Sequence, residues 1–469
     1  MTVYKTLVRS HYLTRSASST SAASCDAIRQ KAETTPGARH ESDEALLERV
    51  QRTAFEYFRR NANPVNGLIA DTTRPGAPSS IAVVGFALST YPVGVERGWM
   101  ERADAVTCAL ATLRFFNSSD QSGSPQATGY HGFYYHFLHM RSGTRMWRSE
   151  ISLIDTALLI AGMLTVGAYF DGDSQDESEL RRLAEALYRR VDWRWAQREK
   201  GAVTHGWKPE CGFLNYGWEG YSEAILLYVL GLGSPTHPLS DESYPAWTVT
   251  YQWENLYGHD LLYAGPLFIH QYSHAWIDFR GIQDDYMRAR GLDYFDNSRR
   301  AAYVQQAYAI RNPKKFVGYG KYAWGFTASD GPGPARRKIN GITREFYDYI
   351  ARSIPNGPDD GTLAPWAVVA SLPFAPELVL PSIKHFNEAY PEMTSKYGFK
   401  CSYNHTFSGG KNNRSTGWIS KGYYGLDQGP IVMMIENYRT GFLWRLMRQC
   451  PPIQMGLRRA GFTGGWLQE

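Results

Sequence analysis

The chain lacks most of the features that would assign a function at sight. Its five cysteines, Cys25, Cys108, Cys211, Cys401 and Cys450, are scattered and form no CxxC pair. Neither a disulfide framework nor a zinc ribbon is implied, and the redox compartment stays open. No apolar run approaches the roughly 20 residues of a membrane helix, so no membrane span is expected. The one basic block is Arg336-Arg337-Lys338, and the net charge is only +5. A short basic loop is a weaker footprint than nucleic-acid binding leaves. There is no HExxH, no GxSxG elbow and no P-loop among the 469 residues, which removes the usual signatures of zinc, serine and nucleotide chemistry. No metal and no cofactor are expected. Strands with period-2 alternation are scarce as well.

What is abundant is aromatic: 14 Trp, 31 Tyr and 21 Phe make up 14% of the chain, against 20% charged residues. Such rings suit a thick core and equally a sugar-stacking cleft, since each offers a broad apolar face and Tyr and Trp add a polar handle. Residues 1–41 are rich in Ser, Thr, Ala and Arg with few acids. They lack the apolar core of a secretory signal and read as a disordered leader or targeting segment.

From Ser42-Asp43-Glu44 onward, helical periodicity dominates. Helices are expected at 43–58, 102–116, 151–170, 180–191, 224–232, 262–272, 296–310, 364–372, 377–390 and 429–448, with a small apolar run at 81–91. Several are apolar on more than one face, as for helices packed on both sides. Long Gly-, Pro- and aromatic-rich loops separate them, and loops of that length in a compact domain usually carry function. Gly129-Tyr-His-Gly-Phe-Tyr-Tyr-His-Phe137 has no helical period and reads as strand or loop facing a site. Residues 42–469 read as a single, mainly helical domain with its loops gathered at one end.

Asn215-Tyr216-Gly217-Trp218-Glu219-Gly220-Tyr221-Ser222-Glu223 runs straight into an apolar helix. An ionised carboxylate there is costly without partners. If Glu219 shares the helix with Glu223, the two lie four residues apart on one face and can drive their pKa values apart, as acid chemistry near neutrality requires. A loop Glu219 with a hydrogen-bonded, structural Glu223 fits the residues equally well. Asp155 sits in the most apolar helix of the chain and is either a hydrogen-bonded structural acid or a carboxylate on the inner wall of a helical barrel. Glu150, five residues earlier, complements the helix dipole or competes for the same role. Asp427 and Gln428 lead into the buried run 431–435, as an N-cap or as sugar-binding groups. Trp147, His205, Trp207, Tyr216, Trp218, Glu219, Tyr221 and Tyr423 border these acids and are the candidate substrate contacts. Two carboxylates on different helices among aromatic loops fit glycoside hydrolysis, one protonating the leaving oxygen while the other activates water or attacks.

An ordered set of stretches carries a family resemblance. They are Phe55-Glu-Tyr-Phe58, Asn63-Pro64, Gly67-Leu68, Val93-Gly-Val-Glu-Arg-Gly98, Gly220-Tyr-Ser-Glu-Ala, Ser234-Pro-Thr-His-Pro238, Gly265-Pro-Leu-Phe268, Gly325-Phe-Thr-Ala-Ser-Asp330, Asp427-Gln-Gly-Pro-Ile-Val432 and Asn437-Tyr-Arg-Thr-Gly441. Over roughly residues 45–463 the chain resembles the bacterial glycoamylase-like domain family. That family includes the endo-β-1,2-glucanases of glycoside hydrolase family 144 and the transglycosylase domains of cyclic β-1,2-glucan synthases. The resemblance implies an all-α (α/α)6 barrel, an oligo- or polysaccharide partner, and Glu223 at the position of the general acid. It places Asp155 at the opposing carboxylate, where characterised glucanases carry Glu, and Ser152 where they carry Asp. The expected function is hydrolysis of a β-linked glucan. A transglycosylase and a catalytically silent carbohydrate-binding protein on the same barrel are the alternatives. Many family members are exported, so the resemblance also implies a periplasmic or extracellular location.

Overall fold

The computed structural model describes residues 41–407 and 417–468, so nearly all of the expected leader lies outside them. Twelve of the fourteen α-helices among the described residues frame the molecule. They are α1 (Asp43–Arg60), α2 (Ile81–Glu96), α3 (Arg102–Ser118), α4 (Leu153–Tyr169), α5 (Gln175–Arg190), α6 (Ile225–Leu232), α7 (Tyr294–Arg311), α8 (Pro365–Ala370), α9 (Pro376–Ala389), α10 (Gly425–Arg439), α11 (Phe442–Arg448) and α12 (Pro451–Arg459). α1 begins where the acids of its first turn predict, with the Ser42 hydroxyl accepting from the Ala45 N–H at 3.2 Å.

The helices divide by sequence character. α2, α4, α6 and α8 are predominantly apolar all round, α10 is apolar in its middle with polar residues at both ends, and all five are almost wholly buried. α1, α5, α9 and α12 present one buried stripe and one solvated face. The buried set forms a closed circuit. α2 packs on α4, α4 on α6, α8 on α10, and α10 back on α2. Two 3₁₀ turns, Leu267–His270 and Ser273–Ala275, fill the remaining place. The Ser273 hydroxyl donates to the Glu223 carbonyl at 2.8 Å, and Gln271 Nε2 donates to Ala367 O of α8 at 2.6 Å. The amphipathic helices lie outside: α1 on α10, α5 on α4, α9 on α8 and α12 on α6.

The closest contact in the inner circuit is between α2 and α4. A Cβ on Gly162 would lie 2.2 Å from Gly85 O, and one on Gly85 would lie 2.3 Å from Leu158 O. Both partners are helix backbone, which cannot yield locally. Gly162→Ala is therefore expected to cost about 1–3 kcal/mol by prising the pair apart, read as a lower denaturation midpoint. An unchanged midpoint would show that the helices separate freely.

Two expected helices differ. The 262–272 segment leaves the strand His259–Leu262 and makes only short 3₁₀ turns, because Gly265-Pro266 breaks it: the residue before proline disfavours the helical region. The expected 429–448 helix starts earlier and is split in two by Gly441, whose φ of +67° reverses the chain. Strands are short, as expected. The largest sheet is antiparallel, made of β1 (Gly129–Tyr130), β2 (Phe133–Tyr135), β3 (Ile151–Ser152), β4 (Gly206–Lys208) and β5 (Gly212–Phe213) in that spatial order. It sits at the N-terminal end of α4, so the 129–137 stretch does form strands beside the candidate carboxylates. No helix among the described residues is long and apolar enough to cross a membrane.

Candidate active site

The N-terminal ends of the inner helices meet at one end of the molecule. Backbone bonds stitch the segment before α2 to the start of α10: Thr73 N donates to Tyr423 O at 3.0 Å, and Gly425 N to Asp71 O at 2.9 Å. Ile81 N, the first of α2, donates to His136 O at 3.2 Å, and His136 N to Glu150 O at 2.9 Å. Asp71, His136, Glu150, Asp155 and Asp427 are thereby drawn together from four stretches of chain. Glu223 joins them from the turn that precedes α6. The buried Tyr272 hydroxyl reports the convergence: desolvation, then Tyr349 and the charges of Asp427, Glu223 and Asp155 push its pKa well up.

Asp155 lies in the first turn of α4 and is 9% exposed. Its Oδ2 accepts from the Ser152 hydroxyl at 2.5 Å, and Ser152 also caps the helix. The same oxygen lies 3.5 Å from His136 Nε2, while His136 Nδ1 lies 2.9 Å from Glu150 Oε1. Burial opposes a charge on this ring, yet Asp155, the bond to Glu150 and the field of Asp71 outweigh it and raise its pKa to about 9. Burial alone would raise the Glu150 carboxyl too, but the bond and charge of His136 bring it down to about 2. Asp71 runs the other way. Burial, reinforced by Asp155 and opposed by His136 and Arg74, lifts it to about 6. Asp427 is buried in the first turn of α10, whose N-cap is Tyr424. Burial and the nearby Asp71 and Asp330 push its carboxyl well up, against a hydrogen bond with Cys401. One end of the barrel-like circuit thus holds carboxyl groups of strongly divided proton affinity, as acid–base chemistry requires.

Glu219 and Glu223 do not share a helix. Gly220 at φ +82° turns the chain between them, α6 begins only at Ile225, Glu219 is exposed and Glu223 is 7% exposed. The other candidates divide. His205 stacks on Trp218 at 4.1 Å, close enough to Glu150 to feel its charge, and burial lowers its pKa to about 4, leaving it neutral. Tyr216 stands exposed at the edge of this pair. Trp147 is exposed and touches Phe137, which stacks on the His136 ring at 4.0 Å. Trp207 pairs with Ile151, one residue out of phase with Ser152, so it faces away from the carboxylates and joins Tyr130, Trp195 and Phe213. Tyr221 points its hydroxyl at His270 and packs on Tyr251 and Tyr294. Tyr423 is buried edge-on to Tyr397, and Gln428 is buried with its amide on Phe399 O.

Sequence reasoning passed over Asp71, Arg74 and Tyr272, and met Asp330 only within the 325–330 stretch that carries the family resemblance. Asp71 sits in a polar loop without a motif, and only the strapping of that loop onto α10 places it here. Arg74 Nη2 meets Asp330 Oδ2 at 2.6 Å, and the Ser420 hydroxyl meets the same oxygen at 2.8 Å. His136 lies within the 129–137 stretch read as site-facing, so a signal for it existed. Among the described residues, no group of three or more His, Cys, Asp or Glu is arranged to hold a metal ion.

Comparison with known proteins places this chain in a lineage. The model of the Glycoamylase family matches residues 215–451. A Bacteroides uniformis protein, assigned in its crystal structure as a glucoamylase, is 31% identical with a TM-score of 0.80, over 91% of this chain and 98% of that one. The endo-β-1,2-glucanase of Chitinophaga pinensis, solved with sophorotriose and glucose, is 27% identical with a TM-score of 0.77, over 91% of this chain and 99% of that one. The exo-β-1,2-glucooligosaccharide sophorohydrolase of Parabacteroides distasonis is 27% identical over 454 residues, 89% of this chain. The chain spans 58% of the length of that curated relative. With the family model covering half of its length and a 31%-identical solved relative matching 91% of it, the chain belongs to the glycoamylase family.

Proposed function

We propose that this protein is a glycoside hydrolase that cleaves a β-linked glucan, with β-1,2-glucan as the first substrate to test. Residues 42–469 act as one catalytic domain, an (α/α)6 barrel. The closed circuit of inner segments, each backed by an outer helix, supports that architecture. The family's name carries no argument for starch, whereas the Chitinophaga and Parabacteroides relatives are both named for β-1,2-linked substrates.

The observation that carries the reading is that Glu223, Asp155 and Asp427 lie near enough for their charges to act together on one buried hydroxyl, that of Tyr272, which donates to Leu426 O beside Asp427 at 3.3 Å. Glu223 is the general acid that protonates the leaving glycosidic oxygen. Asp155 is the opposing carboxylate that activates water or attacks the anomeric carbon. Glu150 is the weaker candidate, because a carboxyl brought to about 2 by its bond to His136 is a poor base. Asp155 is one methylene shorter than a glutamate, and the Ser152 hydroxyl holds it from the side. His205 with Trp218, and Trp147 beyond Phe137, supply ring faces for the sugar near these acids.

A panel of defined glucans, with reducing ends and the anomeric form of the first product followed by NMR, tests the proposal. Release from β-1,2-glucan with little from α-1,4-glucan is expected. Transfer to added sugar in place of water would make the protein a transglycosylase. Tight oligosaccharide binding with no bond cleavage on any glucan would make it a binding protein.

A further inference from the structure

The His136 ring is placed in a way the acid–base pair alone does not explain. Nδ1 lies 2.9 Å from Glu150 Oε1 and Nε2 lies 3.5 Å from Asp155 Oδ2. An ionised carboxylate only accepts hydrogen bonds, so a ring with a carboxylate at each nitrogen satisfies both by carrying two protons. The backbone fixes the ring's origin, since His136 N donates to Glu150 O and His136 O accepts from Ile81 N. Phe137 fixes its plane, stacked at 4.0 Å with 12° between the rings.

We propose that His136 is a positioning residue, a doubly protonated imidazolium that clamps Asp155 against Ser152, with Glu150 as its permanent counter-ion. The proposal deepens the hydrolase reading and rests on it for the role of Asp155. It also gives Glu150 a task other than reaction, which its sequence position left open. The charged groups that act on the clamp come from several elements, and Asp427 of α10 adds its charge beside Asp71. Asp71 faces the ring from the segment before α2, Glu150 from the residue just before β3, and Asp155 from α4. Lys208 of β4 acts on Glu150, Arg74 acts on Asp71, and the neutral His205 stands beside Glu150. One imidazolium thus sits among three carboxyl groups, Asp71, Glu150 and Asp155. The sign follows. The raised affinity of His136 for its proton favours the folded state below the ring's ordinary value near 6.5, and this contribution is lost as pH rises through about 9.

The test has two independent arms. In the first, NMR of the full chain, labelled on its 12 histidines, follows ring protonation in the wild type and in Glu150→Gln. One ring is expected to stay doubly protonated through pH 8 and to lose its proton at lower pH in the variant. Titration of every ring near or below 6.5 overturns the clamp, whatever the activity. In the second arm, kcat/KM on the cleaved glucan is followed against pH for His136→Gln and His136→Lys. Without the cation, the carboxyl set takes up protons at higher pH. The acid limb of His136→Gln should therefore move up by about one pH unit, a loss about tenfold greater on the acid side than on the plateau. His136→Lys should bring the limb back. An equal loss at every pH, unrepaired by lysine, means that His136 only supports the fold and overturns the proposal. If no glucan is cleaved while the ring titrates as expected, the clamp stands and the hydrolase reading falls.

Discussion

Glu223→Gln is expected to lower turnover by about 10²–10⁴-fold, the usual contribution of a general acid, with the denaturation midpoint and oligosaccharide affinity unchanged. The amide keeps the shape and a hydrogen-bonding capacity but has no proton of suitable acidity to give. Glu223 is buried at the turn before α6, and its own carbonyl is anchored by Ser273, so the backbone at this position does not depend on the side chain. Asp155→Asn should show a loss of similar size, and Glu150→Gln a smaller one that varies with pH through His136. Near-normal hydrolysis by Glu223→Gln would end the assignment. Activity retained in Asp155→Asn but lost at every pH in Glu150→Gln would transfer the second role to Glu150.

The largest expected effect on stability lies beside the site. Arg352 and Asp360 are both fully buried and joined by two parallel bonds, Nε to Oδ1 at 2.8 Å and Nη2 to Oδ2 at 2.9 Å. Arg352 Nη1 also donates to Ser329 O at 2.6 Å, and Asp360 accepts from Tyr347 N and Thr362 N. The pair ties the segment ending at Asp330 to the loop that feeds α8. Arg352→Met leaves a carboxylate buried without its cation and should cost about 3–5 kcal/mol, and Asp360→Asn a similar amount. Both are measured as denaturant midpoints. The double variant Arg352→Met/Asp360→Leu should lose less than the sum, because neither charge is then stranded. Additive losses, or single losses under about 1 kcal/mol, would contradict this account. The pH dependence has a fixed sign. Burial works against the Asp360 charge, but Arg352 holds its carboxyl below the ordinary range. The contribution is present above the unfolded value near 4 and is lost as pH falls through the lowered one.

Much of the scaffold was legible because it is written in local terms. Ser42 and the acids after it cap α1, the apolar runs of α4 and α6 can only be buried, and Gly129–Phe137 has the look of no helix. The failures are local as well. Gly265-Pro266 and Gly441 overrode an apolar period that continued past them. The pairing of Glu219 with Glu223 failed on Gly220, whose positive φ no periodicity reveals.

By itself, the sequence determined a helical chain without metal, thiol or nucleotide motifs, with Glu223 and Asp155 at the mouths of buried helices. Those properties follow from residue type and spacing within a few turns of chain. Tertiary structure alone decided the company these carboxylates keep. Asp71 reaches Asp427 across more than 350 positions through two backbone bonds, and His136 meets Glu150 and Asp155 through strand pairing. Proton affinity depends on burial and on charges a few ångströms away. The division into a Glu150 near 2, an Asp71 near 6 and a His136 near 9 therefore exists only once the inner helices have closed their circuit.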